Sequence, residues 1–178
     1  MNTLDAIKTR RAVRSWTDQA VTDEQLTQIL EAGRFAPSPL NSHPWHFTVL
    51  RSKKTMQQLM PDAKHGGFVT QANVVIVVTV DTKAKVDIWL SEHAQHIYSG
   101  ACAIQNMWLA AWDMGLGACW VTLDEKATRK VLQIPDDQVI IGSLALGYPK
   151  ELPSPHIESD RRPLSEMVFY EKYGKTNK

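Results

Sequence analysis

The stretch "NVVIVVTVD" at residues 73–81 constrains the fold more than any other part of the chain. β-branched residues dominate it and apolar and polar positions do not alternate, the pattern of a strand buried on both faces. Such a strand needs a covering layer on each side, so it belongs inside a small sheet with helices above and below. Its apolar run falls far short of the roughly 20 residues that a membrane-spanning helix needs.

The segments around it supply those layers. Leu4 and Ile7 followed by Lys8, Arg10 and Arg11 predict a short helix ending in a basic turn, with "AVRSW" extended after it. In "TDEQLTQILEAGRFA", Thr22 and Gln25 have the spacing of a capping box, and Leu26, Ile29, Leu30 and Gly33 share one face. "HFTVLRS" alternates as a strand does, and "SKKTMQQLM" reads as a short helix. The longest helix carries Ile97, Ala101, Ile104, Trp108, Ala111 and Gly115 at alternating spacings of four and three. Alanine and glycine are common on and near that stripe, which admits another backbone or a flat ligand at close range. "GLGACWVTLDEKATRKVLQIPDD" then predicts a glycine stop, a loop, a helix capped by Asp124 and a brake at Pro135. "QVIIGSLALGYP" is a further strand. The expectation is an α+β sandwich forming one domain over residues 1–178.

Two segments do not fit a core. Residues 36–46 read "APSPLNSHPWH", where Pro37, Pro39 and Pro44 fix φ and remove backbone donors, giving a stiff loop that presents Ser38 and Asn41. Residues 151–178 include "LSEMVFYEKYG", whose apolar side chains come after the core is complete and need another surface to cover, most simply a second subunit.

A formal net charge of +1 gives no long-range field for nucleic acid or an acidic membrane, so basic clusters are local sites. The polar N-terminus lacks the apolar core of a secretory signal, which implies a cytoplasmic protein in which Cys102 and Cys119 are free thiols. Arg10, Arg11 and Arg14 near the start and Arg161 and Arg162 near the end are forks suited to phosphate. They are equally compatible with surface charges paired to neighbours such as Asp18 and Asp160. A helix C-terminus beside the first group repels anions, so the arginines must overcome it. His93 and His96 lie three apart on the predicted long helix, but no carboxylate or cysteine at ligand spacing completes a metal set. "GLGACW" lacks the third glycine of a dinucleotide fingerprint.

The order of these pieces is more telling than any one. "RRAVRSW", "APSPLNSHPWHFTVL", the apolar strand, "AIQNMWLAAWDMGLGACWV", "IPDDQVIIGSLALGYP" and "RRPLSEMVFYEKYG" together resemble the nitroreductase family of FMN-dependent oxidoreductases from about residue 3 to 174. The resemblance implies a small, mostly antiparallel central sheet flanked by helices. It also implies a homodimer with FMN at the subunit interface and residues 151–178 wrapped around the partner. By position, Arg10, Arg11 and Arg14 match the group that meets the FMN phosphate and ribityl chain, with Arg161, and next Arg162, as the late phosphate ligand. Ala12 stands where the family usually has serine, so one hydroxyl contact is absent. Pro37, Ser38, Pro39 and Asn41 match the loop contributed by the other subunit. Cys119, Trp120, Val121 and Thr122 match the loop whose backbone N–H groups lie near flavin N5 and O4. The implied activity moves two electrons from NADH or NADPH through FMN to a nitroaromatic, quinone or similar acceptor in alternating half-reactions, with no catalytic side chain. Alternatives are a non-catalytic FMN-binding protein or another reaction on the same fold, such as dehalogenation or flavin fragmentation. Trp89, His65 and Phe68 are candidates for the open side of the flavin, or for ordinary packing.

Overall fold

The computed structural model describes residues 1–61, 67–82, 92–154 and 161–176. Its sheet has the order β1-β2-β4-β3, where β1 is Trp45–Leu50, β2 Val74–Asp81, β3 Gly117–Val121 and β4 Gln138–Gly147. All three pairings are antiparallel. As its composition requires, β2 is an inner strand, and every valine and isoleucine in it is fully buried.

The strand's two faces feed two cores. Val74, Ile76, Val78 and Val80 face one layer with Leu26 and Ile29 of α2 (Asp23–Arg34) and Ile104, Met107 and Trp108 of α4 (Gln95–Asp113). Val75 and Val77 face the other, with Met56 of α3 (Lys53–Gln58), Leu59, Val69 and, from α5 (Glu125–Leu132), Val131 and Leu132. Local signals set the helix starts as the sequence predicts. Thr22 and Gln25 form the reciprocal capping box of α2, Asp124 accepts from the Ala127 N–H at 2.7 Å, and Gly115 turns the chain out of α4 at φ 77°.

Three expectations are corrected. The stretch predicted as a loop after Gly115 contains β3, which runs antiparallel to β4 from Gly117↔Gly147 to Val121↔Ser143. It is short and begins with small residues, so it lacks a strand's usual sequence signature. On α4 the buried face is Gly100, Ala103, Ile104, Met107, Trp108 and Ala111, whereas Ile97 is exposed and Ala101 half-buried. Gly100 lets the helix lie on the sheet, because a Cβ there would come within 2.6 Å of Ile141 and 2.8 Å of Val80. His93 precedes the left-handed Ala94 (φ 55°) and so is not on the helix that carries His96.

The first helix, α1 (Thr3–Thr9), buries Ala6 but leaves Leu4 and Ile7 exposed. Leu164, Met167 and Tyr173 of the C-terminal segment are also exposed in the single chain, while Phe169 packs on Tyr173 with ring centroids 4.7 Å apart. Among the described residues no helix is long and apolar enough to cross a membrane.

Candidate functional site

The N-terminal segment after α1 runs along the outer edge of β3. Ala12 bridges to Ala118, and the Val13 N–H donates to the Ala118 carbonyl at 3.0 Å. Farther on, Trp16 donates its indole N–H to the Gly117 carbonyl at 2.8 Å, and Thr17 N–H bonds the Tyr148 carbonyl at 2.8 Å. The absence of a side chain at Gly117 makes this possible, since Val13 fills the space where one would go.

Arg11 removes the electrostatic objection to an anion beside α1. Its Nη1 donates to the carbonyls of Lys8 (3.2 Å), Thr9 (2.8 Å) and Arg10 (2.9 Å), and its Nε to Ser154 (3.3 Å). The guanidinium is buried and covers the negative end of the helix. Sequence position grouped Arg11 with the phosphate-binding arginines; its observed bonds to these carbonyls make it a cap for α1 and a tie to the segment leading to Arg161.

Arg10 and Arg14 flank Arg11 along the same segment. Arg10 is half-buried, with its guanidinium carbon 4.0 Å from the centroid of the Trp108 ring. Burial, followed by the nearby charges of Arg161 and Arg11, pushes its pKa below the usual value. Arg161, from the opposite end of the chain, is thus near enough for its charge to act on Arg10. Arg14 is exposed and lies 5.8 Å over the Phe68 ring, with its charge near the Cys119 thiol, which donates to the Trp120 carbonyl at 3.5 Å. Among the described residues no carboxylate pairs with Arg10 or Arg14. Arg162 instead leans on Glu166, 3.9 Å from its carboxylate.

β3 is the edge strand, and its residues point their backbone groups alternately toward β4 and away from it. Because the Ala118 carbonyl receives Val13, the Trp120 backbone lies on that same outer edge, whereas the Val121 carbonyl faces β4 and accepts from Ser143 Oγ at 3.3 Å. Cys119 is buried, Thr122 exposed, and Ala12 half-buried within the bridge.

The proline loop is elsewhere in the single chain. Pro44, which ends it, accepts from Asp81 at the end of the sheet opposite Gly117 and Gly147. Within the loop, Ser38 Oγ accepts the His43 N–H at 3.0 Å, and Asn41 Oδ1 lies 2.8 Å from His43 Nε2. Leu40, Asn41 and His43 all have positive φ, a costly backbone that Pro37 and Pro39 help to hold. Phe68 packs beside Trp16 with centroids 6.2 Å apart, whereas His65 and Trp89 lie outside the described residues.

Sequence reasoning placed Trp108 in the core but missed its second role under Arg10. No local pattern signals it, because Arg10 and Trp108 lie on segments far apart in the sequence. The Trp108 Nε1–H has no hydrogen-bond partner among the described residues. Guanidiniums of Arg10 and Arg14, a neutralised helix end and the β3 edge at Trp120, beyond the bridge of Ala12 to Ala118, fit a phosphate-bearing, partly flat ligand.

A four-stranded antiparallel sheet covered on both faces by helices defines an α+β protein, with Arg10 and Arg14 carried along its β3 edge. The nitroreductase family model matches residues 7–66 and 60–148, and the chain belongs to that family. A protein of Archaeoglobus fulgidus carrying an NADH dehydrogenase/NAD(P)H nitroreductase name is 32% identical over 96% of this chain and 98% of its own length. A nitroreductase-named protein of Desulfovibrio desulfuricans, solved in complex with FMN, is 33% identical with a TM-score of 0.81, covering 97% of this chain and 99% of that one. A nitroreductase family protein of Clostridium difficile 630 has a TM-score of 0.84 at 28% identity, with coverage of 97% and 99%.

Proposed function

We propose that the protein is an FMN-dependent oxidoreductase that takes electrons from NADH or NADPH and reduces a small organic acceptor such as a nitroaromatic or a quinone. The observation that carries this reading is the half-buried Arg10 guanidinium, 4.0 Å from the Trp108 ring and close enough to Arg161 to feel its charge, with no carboxylate paired to it among the described residues. Family membership and the FMN held by the Desulfovibrio protein support FMN as the ligand.

Arg10, Arg14 and Arg161 hold the phosphate end, with Arg162 in reserve. Ala12 supplies no hydroxyl, so guanidinium and backbone N–H groups carry that contact. The outer edge of β3 at Trp120 offers a backbone donor to the ring system, flanked by Cys119, Val121 and Thr122. When bound, FMN supplies the two-electron chemistry, and the chain supplies orientation and charge. Pro37, Ser38, Pro39 and Asn41 reach the site from a partner subunit, which accounts for their distance from the arginines in one chain. The exposed Leu4, Ile7, Leu164 and Met167 support a homodimer in which residues 151–178 embrace the partner. Residues 1–178 then act as one FMN-binding unit in the cytoplasm.

An anaerobic absorbance spectrum of the purified protein, recorded before and after NADH or NADPH, tests this directly. A flavin spectrum bleached by either nucleotide is expected. A persistent spectrum would make the protein a flavin-binding or storage protein, and no flavin after reconstitution with FMN would remove the reading.

A further inference from the structure

We infer that Trp108 is a positioning residue for phosphate recognition, acting through Arg10: its ring face holds the guanidinium at the β3 edge, where the phosphate of the cofactor binds. The inference rests on the cofactor reading above and adds a residue that sequence position alone assigns to the core.

A guanidinium on a long side chain is ordinarily free to choose among many rotamers, and fixing it costs entropy. Arg10 has two reasons to swing away from the site. It is half-buried, and Arg161 and Arg11 repel it. What opposes them is the Trp108 ring, 4.0 Å from the guanidinium carbon and well inside the range of a cation–ring attraction. Trp108 itself cannot move, because it is buried in the layer between α4 and the sheet with Ile104, Met107 and Ala111. A rigid ring beneath a mobile cation pre-orients the cation before the anion arrives, which raises affinity without a contact to the ligand.

The attraction is therefore specific to the phosphate, and riboflavin, which lacks one, reports everything else. Dissociation constants for FMN and riboflavin are measured by fluorescence titration of the apoprotein for wild type, Trp108→Leu, Trp108→Phe, Arg10→Ala and the double variant Arg10→Ala with Trp108→Leu. Trp108→Leu is expected to weaken FMN by between about two- and thirty-fold, the affinity equivalent of a cation–ring contact, and to leave riboflavin within about twofold. Trp108→Phe, which keeps a ring face, should recover most of the loss. In the Arg10→Ala background, Trp108→Leu should have no further effect on FMN.

Equal weakening of both ligands would reduce Trp108 to a packing residue and overturn the inference, as would a full effect persisting without Arg10. If Trp108→Leu does not fold, Trp108→Phe alone decides, since a change in riboflavin as large as that in FMN is then the overturning result. Failure of the underlying cofactor reading looks different: Arg10→Ala would leave the preference for FMN over riboflavin unchanged.

Discussion

Val13 stands where a side chain on Gly117 would have to go, with its Cγ2 2.5 Å from the position of that Cβ. The contact seals the N-terminal segment onto β3, and through it sets where Arg10 and Arg14 emerge. Gly117→Ala should therefore act on both fold and site. Overpacking of this kind costs about 1–3 kcal/mol. Urea denaturation should show that loss, and FMN affinity should fall with it. Adding Val13→Ala should return part of both, because the two residues compete for one volume.

Arg10 and Arg11 are adjacent in sequence and opposite in role. Arg11→Ala strips a buried charged donor from three carbonyls at the end of α1 and one at Ser154, so it should lower stability by about 1.5–3 kcal/mol. Arg10→Ala should barely alter the unfolding midpoint of the apoprotein. It should instead weaken FMN by about 1.5–3 kcal/mol, the worth of a lost charged hydrogen bond. Denaturant curves and flavin titrations on both variants separate the roles; a similar profile for the two would contradict the assignment.

That division shows where the sequence ceased to be legible. The buried β2, the capping box at Thr22 and Gln25 and the cap at Asp124 depend on local pattern, and the structure reproduces each. β3 was read as a loop because Gly117 and Ala118 carry none of the bulk that marks a strand; it is a strand because β4 and the N-terminal segment flank it. Arg11 matches a phosphate ligand by position, and its bonds to the carbonyls of Lys8, Thr9, Arg10 and Ser154 follow from how α1 ends and where the distant Ser154 falls, which no linear pattern contains. Trp108 lay on the correct helical stripe, but nothing in a linear pattern tells which side chain will rest on a buried ring.

Cys119 gives a prediction in pH. Burial raises its thiol above the ordinary value of 9.0, and the nearby charges of Arg14 and Arg10 offset that rise only in part. Because the folded pKa is above the unfolded one, the native state holds the proton longer. Its contribution to stability is complete below about pH 9 and is lost as pH rises from the unfolded value through the folded one. At pH 8 iodoacetamide should therefore modify the half-buried Cys102 well before Cys119, with mass spectrometry of digests reporting the order. Arg14→Ala should raise the Cys119 pKa further and slow its alkylation, provided the fold holds. Faster alkylation of Cys119 with the fold intact would show that Arg14 does not stabilise the thiolate.

The C-terminal segment provides the test of assembly. Leu164 and Met167 are 72% and 50% exposed in the single chain, a poor arrangement for apolar side chains unless a partner covers them. Charges placed there cost little in a monomer and much in an interface, where a buried unpaired carboxylate has no counter-ion. Leu164→Asp combined with Met167→Asp should thus leave the far-ultraviolet circular dichroism unchanged while shifting sedimentation from dimer to monomer. FMN retention should fall in the same samples, because Ser38 and Asn41 would no longer be delivered to the arginines of the other subunit. A wild-type chain that sediments as a monomer and still holds FMN would break the link between tail and site. A dimer that survives both charges would place the interface elsewhere, on the exposed Leu4 and Ile7 of α1.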